Sequence, residues 1–431
     1  MSVPSVTARL LACALPVLLA PAARAQEATP VDSLSLATVY AMVDRASPRV
    51  RVAEAAERAA IARIAPASRP PDPSLQLGLM NYLLPDLGAD PVLGMRQVQV
   101  MQMVPLPGKL AAMTAAARGR ATAAGARADE VRLEARAAAA MAFLERWGAE
   151  RQAALAEETR RLLEDAAGVA TAMYKVGDGR QADVLRAQVE VARMEEMAVR
   201  MRAMSATALA RLAAVVDTPS VVVAAAPRVP LPPDSLPAPE ALAAQAVLAR
   251  PMLRAGTAEV EAAEAQARLA DRERWPDPQV GVQYATRGTP MGVERMGSLM
   301  VGATIPLWAR ARQHRMREEA GAMRTMAEAD VAAMRAETRG RVAEAHTAIA
   351  SSRRLVALYR SAVLPQAEAA AQSALAAYRA GAVDFMTVVE NRMTVNTYRQ
   401  QLVALEVTEL AAWVELEMLL ARPLLAPAGG R

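Results

Sequence analysis

Few residues in this chain could do chemistry. Two histidines, His314 and His346, a single cysteine, Cys13, and 24 methionines are the whole soft-ligand inventory of the 431 residues. A zinc or copper centre needs three or four such ligands converging. Neither histidine has a histidine or cysteine partner nearby in sequence, and both stand in arginine-rich helical stretches as solvent-facing residues. Met101 and Met103 share one face of a strand pattern, but methionine serves chiefly as apolar filler. The sequence therefore assigns no metal site, no cofactor site and no catalytic residue. No Walker sequence is present either, so nucleotide hydrolysis has no visible seat. Two acids stand just past glycines. Asp183 lies six residues past Gly177, and Glu390 lies nine past Gly381. Acids at such positions cap or solvate the start of a helix.

The elements that must position these acids are long helices. Gly177 sits in "YKVGDGRQADVL" from Tyr174, and Gly381 sits in "YRAGAVDFMTVV" from Tyr378, 204 positions later. No proline falls between Lys109 and Met173, and roughly 65 residues at 1.5 Å rise make a rod near 100 Å. After the first glycine, Ala187, Val191, Met194, Ala198, Met201, Ser205, Ala208, Leu212 and Val215 alternate four and three apart. That is the seam of a coiled coil. Val395, Tyr398, Leu402, Leu405, Ala412, Leu416 and Leu419 repeat it in the second half, with Glu409 interrupting. The glycines mark where a rod turns back on its neighbour.

The duplication runs through most of the chain. "PDPSLQLGL" from Pro71 answers "PDPQVGVQY" from Pro276, and "MVPLPGKL" from Met103 answers "ATIPLWAR" from Ala303. Each copy switches to period two, with Leu75, Leu77, Leu79, Val98 and Val100 in the first and Val280, Val282, Tyr284, Leu299 and Val301 in the second. Such alternation marks strands with one apolar face. The expected organisation is a first repeat over 26–217, a proline-rich linker over 218–239, a second repeat over 240–422 and a tail over 423–431. The hairpins fall at about 74–105 and 278–306, and the rod tips at 174–185 and 378–389. Arg161 in the first rod corresponds to Pro365 in the second, so only the second rod should kink there.

Composition agrees with helical rods and excludes several classes. Hydrophobic residues make up 53% of the chain but aromatics only 3%, so alanine supplies much of the apolar content. A net charge of +5 is modest, and arginines alternate with acids along the helices, as solvated faces do and nucleic-acid surfaces do not. Arg9, the apolar run from Leu10 to Ala20 and "ARAQ" together make a secretory signal over 1–25. "LLAC" around Cys13 mimics a lipobox but opens the apolar run instead of ending it. N-terminal sequencing of the exported protein is therefore expected to begin at Gln26, with no lipid attached. A blocked N-terminus at Cys13 would overturn that assignment. Trp275 and Trp308 bracket the second hairpin, and two readings stand: an interfacial aromatic girdle, or core tryptophans between helix and strand.

The order and duplication of these features resemble the TolC family of bacterial outer-membrane efflux proteins. The residues that carry the resemblance are "LSLATVYAMVDRASPRVRVAEAA", both hairpins, "VLPQAEAAAQSALAAYRAG" and both glycine turns. "QMVPLPGK", from Gln102 to Lys109, is similar to a Q-x-x-P-x-P-G-K element common in members serving heavy-metal exporters. The resemblance implies a mainly α fold with a β-barrel part. Long α-helical hairpins in two repeats, with two β-hairpins per chain, would form a trimeric α-barrel and a 12-stranded membrane β-barrel. It implies an exit duct in the outer membrane of a Gram-negative bacterium, extending into the periplasm and driven by an inner-membrane pump of the RND type through a periplasmic adaptor. The implied partners are two further copies of the chain, the adaptor, the pump and outer-membrane lipid, with no nucleic acid. Asp183 and Glu390 would line the periplasmic aperture; Thr387 stands where the second copy would repeat Asp183. Tyr174, Val176, Gly177, Tyr378, Ala380 and Gly381 would form the adaptor-docking tip, and Trp275 and Trp308 the membrane girdle. The sequence leaves two other readings open: a multidrug or type I secretion duct, and a periplasmic coiled-coil scaffold without a pore.

Overall fold

The computed structural model describes residues 34–83, 88–90, 93–217, 227–289, 291–305 and 307–425. The expected signal segment with Cys13, linker residues 218–226 and the tail from 426 lie outside the described residues. The first copy opens with α1 (Leu36–Ala46), α2 (Pro48–Ala62) and α3 (Ile64–Ala67). Strands β1 (Ser74–Met80) and β4 (Met95–Met103) form its hairpin, whose loop carries a small ribbon of β2 (Tyr82–Leu83) and β3 (Gly88–Ala89). Rods α4 (Lys109–Lys175) and α5 (Gln181–Val216) complete it. The second copy repeats this order as α6 (Pro239–Ala249), α7 (Pro251–Arg272), β5 (Pro278–Thr289), β6 (Gly292–Ala303), α8 (Gln313–Leu358), α9 (Leu364–Arg379) and α10 (Phe385–Leu420). Prolines at first-turn positions open α2, α6 and α7, where a missing N–H costs nothing.

Helix α4 runs unbroken for 67 residues, a rod of about 100 Å. The second rod is interrupted where the sequence places a kink. A π-turn over Tyr359–Val363 interrupts it just before Pro365. Proline lacks the N–H that would complete the α ladder and its ring crowds the preceding turn, so a widened turn accommodates it.

The return helices use the seam legible in the sequence. Ala187, Met194, Ala198, Ala208 and Leu212 are buried along α5, and Val395, Ala412, Leu416 and Leu419 along α10. Glu409 is buried in the α10 seam and compensated there. Arg353 donates to it at 2.7 Å, stacks 5.4 Å from the Trp413 ring and also donates to the Asp234 carbonyl at 3.1 Å. One arginine thus satisfies a buried charge and straps the described part of the linker to the rods. A second buried pair joins the copies, with Arg250 donating to Glu130 at 2.8 Å and to Thr338 at 2.9 Å. The main core lies at mid-rod, where α1 and α6 pack on the rods through Val39, Val43, Phe143, Leu242, Ile349 and Trp413.

At one end of the rods the four long strands make one antiparallel sheet in the order β1-β4-β5-β6. Its register sorts side chains by chemistry. Leu75, Val100, Val282 and Leu299 form one row across all four strands, and Leu77, Val98 and Tyr284 form the next apolar row. The intervening row is Gln76, Gln99, Gln283 and Ser298 on the opposite face. Leu75 is 64% exposed, Val282 60% and Leu299 74%. No described residue covers this apolar face, an arrangement that water alone would not sustain. Among the described residues no helix is long and apolar enough to cross a membrane.

Candidate functional site

The far end of the rods is built on two glycines. Gly177 has φ +87° and Gly381 φ +71°, the left-handed region that side chains disfavour. Each stands one residue past a helix C-cap. The Gly177 amide donates to the Tyr174 carbonyl at 3.2 Å and the Asp178 amide to Met173 at 3.0 Å. In the second copy Gly381 donates to Tyr378 at 2.9 Å and Ala382 to Ala377 at 2.9 Å. Both turns are therefore Schellman motifs, which satisfy the last carbonyls and reverse the chain.

Beneath the turns sits a small separate core of Ala166, Ala170, Ala187, Tyr378, Phe385 and Val388. Tyr378 meets Phe385 edge-on with ring centroids 5.4 Å apart. The expectation that both tip tyrosines face a docking partner thus needs correction. Tyr174 and Val176 are exposed, 47% and 73%, but Tyr378 is only 4% exposed because it fills the tip core. Gly177, Ala380 and Gly381 lie exposed at the turn itself.

Asp183 occupies the first turn of α5 and is half-buried, whereas Glu390 is exposed on α10. Asp183 lies close enough to Tyr378 to act on it: burial, and then the Asp183 charge, push the phenol pKa above its ordinary value. Neither acid caps its helix. The α5 N-cap is Arg180, without a side-chain cap. The α10 N-cap is Asp384, a residue the sequence reading passed over. Its carboxylate accepts from the Thr387 hydroxyl at 2.7 Å and the Thr387 amide at 3.1 Å. These bonds hold the Asp384 pKa below the usual carboxylate range, and the charges of Arg180 and Arg186 act in the same direction. A depressed carboxylate stabilises above its unfolded pKa and loses that contribution as pH falls through the folded value. The signal was present as Asp384-Phe-Met-Thr387, an N-cap followed by a polar third residue. It also explains why threonine stands where the first copy has Asp183.

At the sheet end, Trp275 is 56% exposed and Trp308 76%, so neither fills a core. The Gln102–Lys109 element proves to be a corner clasp. Lys109, 7% exposed in its side chain, donates to both oxygens of Asp277 at 2.8 and 2.9 Å and to the Trp275 carbonyl at 3.1 Å. Gly108 takes φ +89°, and a Cβ there would lie 2.3 Å from the Arg272 guanidinium. Arg272 in turn donates to the Pro107 carbonyl at 2.7 Å. Sequence spacing could not announce this clasp, because its halves come from different copies. His314 pairs loosely with Glu318 on a solvent face and His346 is half-buried on α8. The described residues contain no cluster of histidine, cysteine and carboxylate groups able to hold a metal ion.

No curated protein matches the chain. Solved structures do. One is CusC, at 16% identity with a TM-score of 0.77, the match covering 90% of this chain and 92% of that one. Another is the outer membrane protein VceC from Vibrio cholerae, at 18% identity and TM-score 0.76 over 90% and 96%. A third is the CmeC outer membrane channel from Campylobacter jejuni, at 12% identity and TM-score 0.76 over 89% and 85%. Identities this low speak to the fold alone. The sequence itself is matched across both copies, over residues 40–217 and 242–422, by the family described as outer membrane efflux protein. With its fold shared with those channels and both of its repeats matched, the chain belongs to the outer membrane efflux protein family.

Proposed function

We propose that this chain is a passive exit duct, assembled from three copies, through which a tripartite pump discharges its cargo across the outer membrane. The observation that carries the reading is the four-stranded sheet with a bare apolar face and a polar reverse face, set at one end of rods about 100 Å long. Four strands are too few to close a membrane barrel, since the smallest have about eight. Three copies would supply twelve, with the leucine and valine rows toward lipid, the glutamine rows toward the lumen, and Trp275 and Trp308 at the interface. The rods would then cross the periplasm. A coiled-coil scaffold without a pore gives that apolar face no role.

Energy would come from an inner-membrane pump of the RND type, coupled through a periplasmic adaptor at the turn residues Tyr174, Val176, Gly177, Ala380 and Gly381. Heavy-metal ions are the proposed cargo, on the strength of the Gln102–Lys109 element. Cells lacking the protein should accumulate copper, silver, zinc, cadmium or cobalt above the parental level. Unchanged metal content together with sensitivity to drugs would move the duct to a drug pump.

The aperture is proposed at Asp183. Threefold symmetry would place three of its carboxylates around one axis, concentrating negative potential where the tunnel is narrowest. Glu390 is exposed and would add an outer ring. Asp183→Asn keeps the shape and removes the charge, so in planar bilayers it should lower cation selectivity and weaken block by divalent ions. Unchanged selectivity and block, with Glu390→Gln also silent, would place the gate elsewhere in the turn.

A further inference from the structure

The clasp between Lys109 and Asp277 joins two corners: the one leaving β4 in the first copy and the one entering β5 in the second. Each corner has a counterpart in the other copy. Val104-Pro-Leu-Pro-Gly-Lys109 answers Ile305-Pro-Leu-Trp-Ala-Arg310, so Arg310 is the equivalent of Lys109. Pro71-Asp72-Pro73 answers Pro276-Asp277-Pro278, so Asp72 is the equivalent of Asp277. Arg310 leaves strand β6 and Asp72 enters strand β1, the two outer strands of the sheet. Both are exposed, and neither has a hydrogen-bond or ion-pair partner among the described residues.

An independent asymmetry points the same way. Helix α7 lays Ala258 and Ala262 on α4, where a Cβ at Gly119 would lie 2.9 Å from the Ala262 Cβ and 3.0 Å from the Ala258 carbonyl. Both alanines are buried there. Pro48 and Pro251 open α2 and α7 at matching positions, which makes Ala55 and Ala59 the counterparts of Ala258 and Ala262. Ala55 and Ala59 are exposed, and so is Val52 beside them at 70%. The same repeat face is thus covered in one copy and bare in the other.

We infer that a second copy of this chain covers these surfaces by repeating the internal contact, with Arg310 of one copy clasping Asp72 of the next. The inference rests on the oligomeric duct proposed above and adds its register. Transferring the internal pairing of Val100 with Val282 to the edges sets Val301 opposite Leu77 of the neighbouring copy, and Leu299 opposite its Leu79. All four belong to the exposed apolar face, so the transferred register keeps lipid-facing side chains together. A one-residue slip would set apolar against polar. In the assembly, the Arg310–Asp72 pair would be shielded like Lys109 and Asp277, so losing one partner should matter more than at an ordinary surface.

The test uses charge reversal and cross-linking in the full-length protein. Asp72→Arg and Arg310→Asp should each lower the temperature at which the detergent-solubilised trimer dissociates, and the double variant should recover most of the loss. With Cys13 in the cleaved signal, the variant carrying Asp72→Cys and Arg310→Cys has only those two thiols. A short bis-maleimide should link it into dimers and trimers on denaturing gels. Losses that add in the double variant, with no cross-linking although light scattering still reads three chains, would overturn the clasp and leave the duct standing. A mass of one chain for the unaltered protein would overturn both.

Discussion

Val301→Arg is expected to strip the assembled protein from the outer membrane, while Gly302→Arg, one residue along, leaves much of it in place. Val301 lies opposite Val280, is 75% exposed and belongs to the apolar face. Gly302 lies opposite Gln279 and points to the other side of the sheet. A Cβ at Gly302 would meet nothing within 4 Å, so a longer side chain there encounters space and, in the proposed barrel, the water of the lumen. An arginine on the lipid face costs up to about 2–4 kcal/mol, the full amount at the midplane and less toward the strand end near which Val301 lies, and three copies would each bear it. The amount of trimer in purified outer membranes is the readout. Equal tolerance at the two positions would argue against a membrane barrel.

The second large effect is expected at the other end. Replacing Gly177 and Gly381 together with valine should abolish export and leave the trimer in the outer membrane. Neither glycine is crowded: a Cβ at either position meets nothing within 4 Å. The penalty is in the backbone, at φ +87° and +71°. A residue with a side chain pays about 1–2 kcal/mol there, and a β-branched one more. Relief would require undoing the Schellman bonds that end α4 and α9, and with them the exposed turn proposed to meet the adaptor. The sheet lies a rod's length away and should assemble normally. Export is measured as cargo retained in cells, and assembly as trimer in the membrane fraction. Normal efflux in the double variant would remove the turns from the docking surface.

Much of the fold was legible because it depends on local period. The leucine and valine alternation located the strands, the three-and-four spacing located the seams, and Pro365 located the irregular turn. Glycine conformation was legible too, since a helix reversal leaves little choice of residue. Contacts between the copies were not. Asp277 meets Lys109 across 168 positions, and no pattern in either segment names the other. Tyr378 illustrates a different limit: its match to Tyr174 suggested a shared role, yet Phe385 gives the second copy an aromatic partner that buries it. Asp384 was readable from its capping pattern but was masked by the more conspicuous acids Asp183 and Glu390.

In the proposed duct, three chains close a water-filled pore through lipid. Single-channel recording of the purified, detergent-extracted protein in planar bilayers tests it most directly. Discrete conductance steps of uniform size are expected, and Val301→Arg should abolish them. Silent bilayers from unaltered protein that stays soluble without detergent would contradict it.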